Sequence, residues 1–338
     1  MAKRRIVFHK NFTRDTSLIL QQLWPLCMED GLKELAPPNP HRPAVIDYIN
    51  QGTCEIWEND EAVAFIRRRF RSYCRKQPQR ASAFLKDYAK QVEAMERIWK
   101  KKALPSLGAL QKFISLVREN MTGDLFILYM AEEKGIPESV RKLAFELRDG
   151  DHYFSASNQL FIATLKRLYP RLGAYVSVIG LDDLDNIPKL VELKKRFRNY
   201  VCVGRKGKIE TLEAYAKRHR EYVFVREKAD LSRGKIVGQT ASPGKAVGRA
   251  RLVYTTHDLK KVKPGDILVS PMTTANFMPA ILKAAAIITN EGGVICHAAI
   301  VSRELKKPCL IATKAATEYF KDGERIEVNA SAGWARKL

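Results

Sequence analysis

The 338-residue sequence has little that would fix its chemistry at a glance, and each thing it lacks removes a class of explanation. Its six cysteines, Cys27, Cys54, Cys74, Cys202, Cys296 and Cys309, form no C-x-x-C pair. That spacing argues against a zinc site, a redox dithiol and a disulfide framework, and leaves reduced, mostly buried thiols and no metal. No apolar run approaches the roughly 18 residues needed to span a bilayer, and the start, MAKRRIVFHKNFTRD, has basic residues with no apolar signal core behind them. The chain is therefore expected to stay in the cytoplasm without membrane contact. Internal repeats and low-complexity tracts are missing as well.

Acidic residues are also scarce: 37 Asp and Glu stand against 59 Lys and Arg, a net charge of +22. The excess is spread over the chain, +15 through Lys235 and +7 beyond it. A field of that sign attracts polyanions, nucleotides and phosphate-bearing substrates alike. Its densest stretches, FIRRRFRSYCRKQPQR (65–80), RIWKKK (97–102) and LKKRFRNYVCVGRKGK (193–208), interleave arginines with aromatics, a combination able to grip phosphates and stack bases. None matches a nucleic-acid recognition module, and charge runs on helices are usually solvated faces.

What is present falls into two grammars. From about Glu55 to Tyr222 the apolar spacing is helical: in AFLKDYAKQVEAMERIWKK, Phe84, Leu85, Tyr88, Val92, Met95 and Ile98 fall on one stripe at three- and four-residue steps. RRIVFH and TCEIW are read as strands at the front of this region. After Lys235 the pattern becomes short β-branched runs divided by turns such as KPGD and KDGE, with helical pieces NFMPAILKA, HAAIVSREL and ATEYF between them. The expected fold class is α+β in two parts. Residues 1–235 form a mainly α-helical, basic region and residues 236–338 a separate domain of strands with a few helices. VREKADLSRGKIVGQ is the junction.

Two glycine-bearing stretches invite a phosphate-binding reading. In GQTASPGKA (238–246), five residues separate Gly238 from Gly244 where the Walker loop needs four, and Ala246 replaces the metal-binding hydroxyl. It reads as a turn between strands. NEGGVICHAAIVSREL (290–305) differs, because the buried-type strand AAAIIT precedes it and Ala298, Val301 and Leu305 give the helix that follows one apolar face. A strand, a glycine loop and a helix N-terminus make an anion seat: glycines admit close backbone approach, and free amides with the helix dipole favour negative charge. The positive helix end also disfavours imidazolium, so His297 should stay neutral and keep a nucleophilic lone pair near pH 7.

EGGVICHAAIVSREL closely resembles the phosphohistidine signature of the phosphoenolpyruvate-utilising enzymes, the family of phosphoenolpyruvate synthase, pyruvate phosphate dikinase and rifampicin phosphotransferase. The likeness runs from about Ile236 to Leu338 through ASPGKAVGRARLV, KPGDILVSPMTTANFMPAILKAAAIITNEGG and KKPCLIATKAATEYFKDGERIEVNASAG. It implies a swivelling β/β/α phosphohistidine (mobile) domain. Residues 174–230 are similar to the segment before that domain, where a strand-like run leads to a helix start and Gly180-Leu181-Asp182-Asp183-Leu184 stands in its place. Two positions depart from the family: Ile295 where it usually has Thr or Ser, and Asn329-Ala330 where it has Asp-Gly.

The resemblance implies a phosphotransferase that carries phosphate on His297. Support is assigned to Gly292, Gly293, Cys296, Thr273, Thr274 and Arg303, with Glu291 as a loop-orienting residue. The chain has no room for an ATP-grasp domain or a phosphoenolpyruvate barrel. No cofactor is therefore expected within it, and Mg-ATP or phosphoenolpyruvate would come through a separate ATP-grasp or phosphoenolpyruvate-binding protein, with a small-molecule phosphoryl acceptor. Ile295 and the missing donor domain keep a second reading open: a degenerate module that binds an anion, a partner protein or nucleic acid.

Overall fold

The computed structural model describes residues 5–338 except 132, 150–152, 227–228, 232–233 and 294–295. Part of the proposed junction, Glu227, Lys228, Ser232 and Arg233, therefore lies outside the described residues. The chain divides into two units, one of Met1–Asn11, Thr16–Asn50 and Ile56–Val225, the other of Phe12–Asp15, Gln51–Glu55 and Arg226–Leu338. No helix among the described residues is long and apolar enough to cross a membrane.

In chain order the first 225 residues form β1 (Ile6–Arg14), α1 (Leu18–Asp30), β2 (Val45–Asn50), β3 (Thr53–Asn59), α2 (Asp60–Lys76), α3 (Pro78–Trp99), α4 (Leu107–Met130), α5 (Glu138–Asp149), α6 (Tyr153–Leu168), α7 (Leu190–Arg198), β4 (Asn199–Val203), β5 (Lys206–Lys208), α8 (Leu212–Arg218) and β6 (Tyr222–Val225). The helical spacing of the long helices holds, and local chemistry sets their ends. Asn59 caps α2 by accepting from the amides of Glu61 at 3.0 Å and Ala62 at 3.4 Å, while Asp60 and Glu61 open the helix and Arg75 and Lys76 close it, as its dipole favours. On α3 the expected stripe buries Leu85, Tyr88 and Met95, leaving Phe84, Val92 and Ile98 half-buried.

The region holds more strand than its helical spacing indicates. A six-stranded sheet runs β5-β4-β2-β3-β1-β6, with β2 antiparallel to β4 and β1 parallel to β6. Phe8, Ile46, Trp57 and Val201 pack with Leu212 and Tyr215 of α8 against it. The run AYVSVIG is likewise not a strand: Pro170–Val178 is a 3-10 segment turned at Gly173, whose φ is +55°. Short β-branched runs satisfy either geometry, and the tertiary setting chooses between them.

The basic clusters bury Phe70, Tyr73 and Tyr200 and leave Phe65, Trp99 and Phe197 half-buried. Arg67 lies 4.9 Å from the Tyr129 ring and Arg196 5.1 Å from the Tyr200 ring. Arg67 and Arg71 pair with the buried Glu133, and Arg196 with Asp183 and Glu192 at 2.6 Å each.

The second unit adds β7 (Lys235–Val237), β8 (Gln239–Ser242), β9 (Lys245–Leu252), β10 (Ile267–Ser270), α9 (Met278–Lys283), β11 (Ala286–Thr289), α10 (His297–Glu304), β12 (Cys309–Ile311), α11 (Ala316–Tyr319), β13 (Arg325–Asn329) and β14 (Trp334–Lys337). Its eight strands lie in the order β7-β14-β13-β9-β10-β11-β12-β8, and β9 to β12 are mutually parallel. Alternation along β10 and β11 splits the core. Leu268 and Ile287 pack with Ile281 of α9 and Ala298 and Val301 of α10, whereas Ile267, Val269, Ala286 and Ile288 pack with Phe320 and Ile326. The stretch Pro243–Gly244 is a turn from β8 to β9, and it opens no helix. Asn329 closes the last turn itself, its Oδ1 accepting from the Ala332 amide at 3.1 Å.

Two outcomes follow for the first unit. A Cβ at Gly123 of α4 would run into the ring of Tyr88 on α3. Gly123→Ala, which in an exposed helix would stabilise, is therefore expected to lower stability by roughly 1–3 kcal/mol in denaturant titrations. Glu58 is buried and accepts from Trp24 Nε1 at 3.2 Å and Tyr129 Oη at 3.3 Å, and burial pushes its carboxyl above the usual range. The folded state thus keeps a proton that the unfolded chain releases, so stability is lost as pH rises above the ordinary glutamate range. Glu58→Gln should flatten that slope in a pH series of unfolding midpoints.

Candidate functional site

Two adjacent parallel strands build the site. β10 and β11 pair with Ser270 opposite Thr289, so both chains leave the sheet at the same edge, beyond the carboxyl ends of the strands. The chain after β10 carries Thr273, and the loop after β11 leads to α10 and its first residue, His297.

Polar groups buried beneath the loop hold it in place. The Asn290 amide donates to the Ser270 carbonyl at 3.1 Å, and its side chain donates to Thr317 Oγ1 at 2.7 Å while accepting from the Thr317 amide at 3.1 Å. Thr289 Oγ1 donates to the Glu291 carbonyl at 2.6 Å, and the Glu291 amide to the Pro271 carbonyl at 3.0 Å. Gly292 has a φ of +118°, and a Cβ there would stand 2.8 Å from Cys296 Sγ, so this position requires glycine. Gly293 differs from the sequence reading: its φ is not positive, and a Cβ would meet nothing. Ile295 lies outside the described residues.

His297 is half-buried at the first position of α10. The first bond of the helical ladder runs from the Ile300 amide to the Cys296 carbonyl at 3.0 Å, so the amides of His297, Ala298 and Ala299 precede that ladder and mark its positive end. Thr273, buried, places Oγ1 3.1 Å from His297 Nδ1. Whichever of the two donates, Nδ1 is engaged and Nε2 is the ring nitrogen left open. Burial lowers the His297 pKa below its ordinary value, the direction a helix N-terminus also favours, so the ring is neutral at pH 7. A neutral imidazole with one nitrogen oriented, facing a positive helix end, is suited to nucleophilic attack on an anionic centre.

The other expected site residues divide. Cys296 is half-buried at the helix cap, makes no capping bond and packs its thiol under Gly292. Thr274 is half-buried beside Thr273, and its carbonyl accepts from the Phe277 amide at 2.8 Å. Arg303 is exposed, about 9 Å farther along the helix axis, and among the described residues no hydrogen bond joins it to His297.

Sequence reasoning missed the partner of Glu291. Its Oε2 accepts from the Thr13 amide at 2.7 Å and its Oε1 from Thr13 Oγ1 at 2.6 Å. The second unit's own segment Phe12–Asp15 thus clasps the glycine loop across 278 residues of sequence, and no local pattern announces such a pair. Asp15 extends the clasp by accepting from the Thr256 amide at 2.7 Å.

Thr273→Val removes the group that orients the ring while preserving its volume. Nitrogen-15 imidazole spectra are expected to show a several-fold change in the His297 tautomer ratio, the size of one net hydrogen bond of about 0.5–1.5 kcal/mol. An unchanged ratio would exclude Thr273 as the orienting group.

Residues 262–333 match the family model described as PEP-utilising enzyme, mobile domain. A probable phosphoenolpyruvate synthase of Archaeoglobus fulgidus is 47% identical over 32% of this chain and 14% of its own length. The phosphoenolpyruvate synthase of Pyrococcus furiosus is 41% identical over 35% and 15%, and that of Escherichia coli 36% identical over 38% and 17%. The chain thus spans about one seventh of the length of the relatives it matches. The strand pair, the glycine loop and His297 all fall inside the matched residues, so this part of the chain is similar to the mobile domain of the PEP-utilising enzymes.

Proposed function

We propose that the chain transfers phosphoryl groups through a transient phosphohistidine at His297, with a donor site for ATP or phosphoenolpyruvate supplied by another protein. The observation that carries this reading is the Thr273–His297 contact at 3.1 Å on the first turn of α10, within the matched mobile domain. In the reactive tautomer Nδ1–H donates to Thr273 Oγ1, and the Nε2 lone pair attacks phosphorus in line. The N–P bond forms as the P–O bond to ADP, or to the enolate of pyruvate, breaks. The ring keeps its Nδ1 proton, and the first-turn amides stabilise the added negative charge. Attack by an acceptor hydroxyl, losing its proton to a base at the acceptor site, reverses the N–P step.

The match covers only 14% and 17% of the length of two phosphoenolpyruvate synthases, which is compatible with a donor site lying outside the matched residues. In this reading the β/β/α domain swivels between donor and acceptor sites, and magnesium arrives with the nucleotide on the partner. The positive helix end serves the rival reading as an anion-binding module equally well, and the two part company at the covalent step.

Incubation with labelled ATP or phosphoenolpyruvate and a stand-alone ATP-grasp or phosphoenolpyruvate-binding protein is expected to give an acid-labile, base-stable label on Nε2, lost in His297→Ala. Because the His297 pKa is lowered, the midpoint of the fall in labelling rate on acidification should lie below the ordinary histidine value of 6.5. Persistent absence of label with every such donor would leave anion binding as the function.

A further inference from the structure

The clasp on Glu291 brings a second group beside the chain that presents Thr273. Arg14 follows Thr13 directly, and its guanidinium carbon lies 4.8 Å from the Phe12 ring. Its Nη1 is closed to solvent and among the described residues has no hydrogen-bond partner. Arg14 lines a small pocket with Pro271, Met272 and Thr274, the chain that presents Thr273, and with Tyr254 and Phe277. Burial pulls the guanidinium below its usual pKa, opposed by the Glu291 carboxylate and then by the Cys296 thiol, the residue that precedes His297.

These facts make an unusual combination. Arginine carries five donors and stays charged, and a charged donor left unmade in a dry setting is costly. The Glu291 carboxylate acts on this guanidinium, yet it already takes the Thr13 amide and hydroxyl, one on each oxygen. A half-buried cation with an idle, buried donor, lining a pocket with the chain that presents Thr273, is arranged for an anion that is not part of the protein.

We propose that Arg14 is the anion anchor of this seat, its Nη1 donating to an oxygen of the phosphoryl group carried by, or presented to, His297. The inference rests on the proposed phosphoryl transfer for the identity of the anion. Arg14 would supply the full positive charge that the first-turn amides provide only in part, and Glu291 would hold the segment bearing it in place through Thr13. In this role Arg303, exposed on α10, is replaced by an arginine that no sequence motif connects to the histidine.

Inorganic phosphate and phosphoramidate test this on the full chain without a donor protein. Phosphate titrated against the ring nitrogen signals of His297 is expected to bind about tenfold more weakly in Arg14→Gln, the loss of one charge-assisted hydrogen bond, with Arg14→Lys in between. Phosphohistidine formed with phosphoramidate and followed by phosphorus-31 spectra should show a matching change in chemical shift and a shorter lifetime in Arg14→Gln. Equal phosphate affinity and equal phosphohistidine lifetime in the folded variant and the wild type would overturn the proposal. Should Arg14→Gln fail to fold, the phosphate-dependent rise in melting temperature is compared between wild type and Arg14→Lys, and an identical rise overturns it. Arg14-dependent phosphate binding without labelling by any donor would sink phosphoryl transfer and leave the anchor standing. Labelling at a rate and lifetime indifferent to Arg14 would do the reverse.

Discussion

The parallel pairing of β10 with β11 is the constraint on which the site depends, because it sends two chain segments out of the sheet at one edge and in one direction. With Ser270 opposite Thr289, the hydroxyl of Thr273 and the ring of His297 meet although 24 residues separate them. An antiparallel pair would have sent them to opposite edges. The helix that follows is held down by Ala298 and Val301 on the core, which leaves its first turn, and the three amides ahead of the ladder, at the sheet's edge.

Burial and charge then act together. His297 is withdrawn far enough from water to stay neutral, and the helix end it occupies is positive. Buried polar groups hold the start of the loop: Thr289 Oγ1 donates to the Glu291 carbonyl, Thr313 Oγ1 to the Thr289 carbonyl, and the Asn290 side chain bonds Thr317 twice. One glycine is needed to make that shape. Gly292 bends the chain over Cys296, and Gly293 needs no such freedom.

The second unit's organisation was largely legible because its elements are short, punctuated and alternating. GDILVS, AAAIIT and ERIEV each became a strand where the turns KPGD and KDGE bracket them, and HAAIVSREL became the helix that starts at the histidine. The first unit was less legible. VIDYIN is buried along nearly its whole length, so it shows no alternation, and NYVCV follows a basic helix without a break in composition. Such runs are read as helix or strand only when a neighbouring strand supplies the ladder.

The sequence by itself determined the local chemistry of the site: a glycine that permits the loop, a helix that begins at a histidine, and a hydroxyl segment after the preceding strand. These are properties of adjacent residues, and φ, capping and periodicity act over a few positions. Tertiary structure alone decided which hydroxyl meets the ring and that Thr13 joins Glu291. Those contacts cross from 24 to 278 residues of chain, and they exist only because strand register and core packing hold distant backbones within the roughly 3 Å reach of a hydrogen bond.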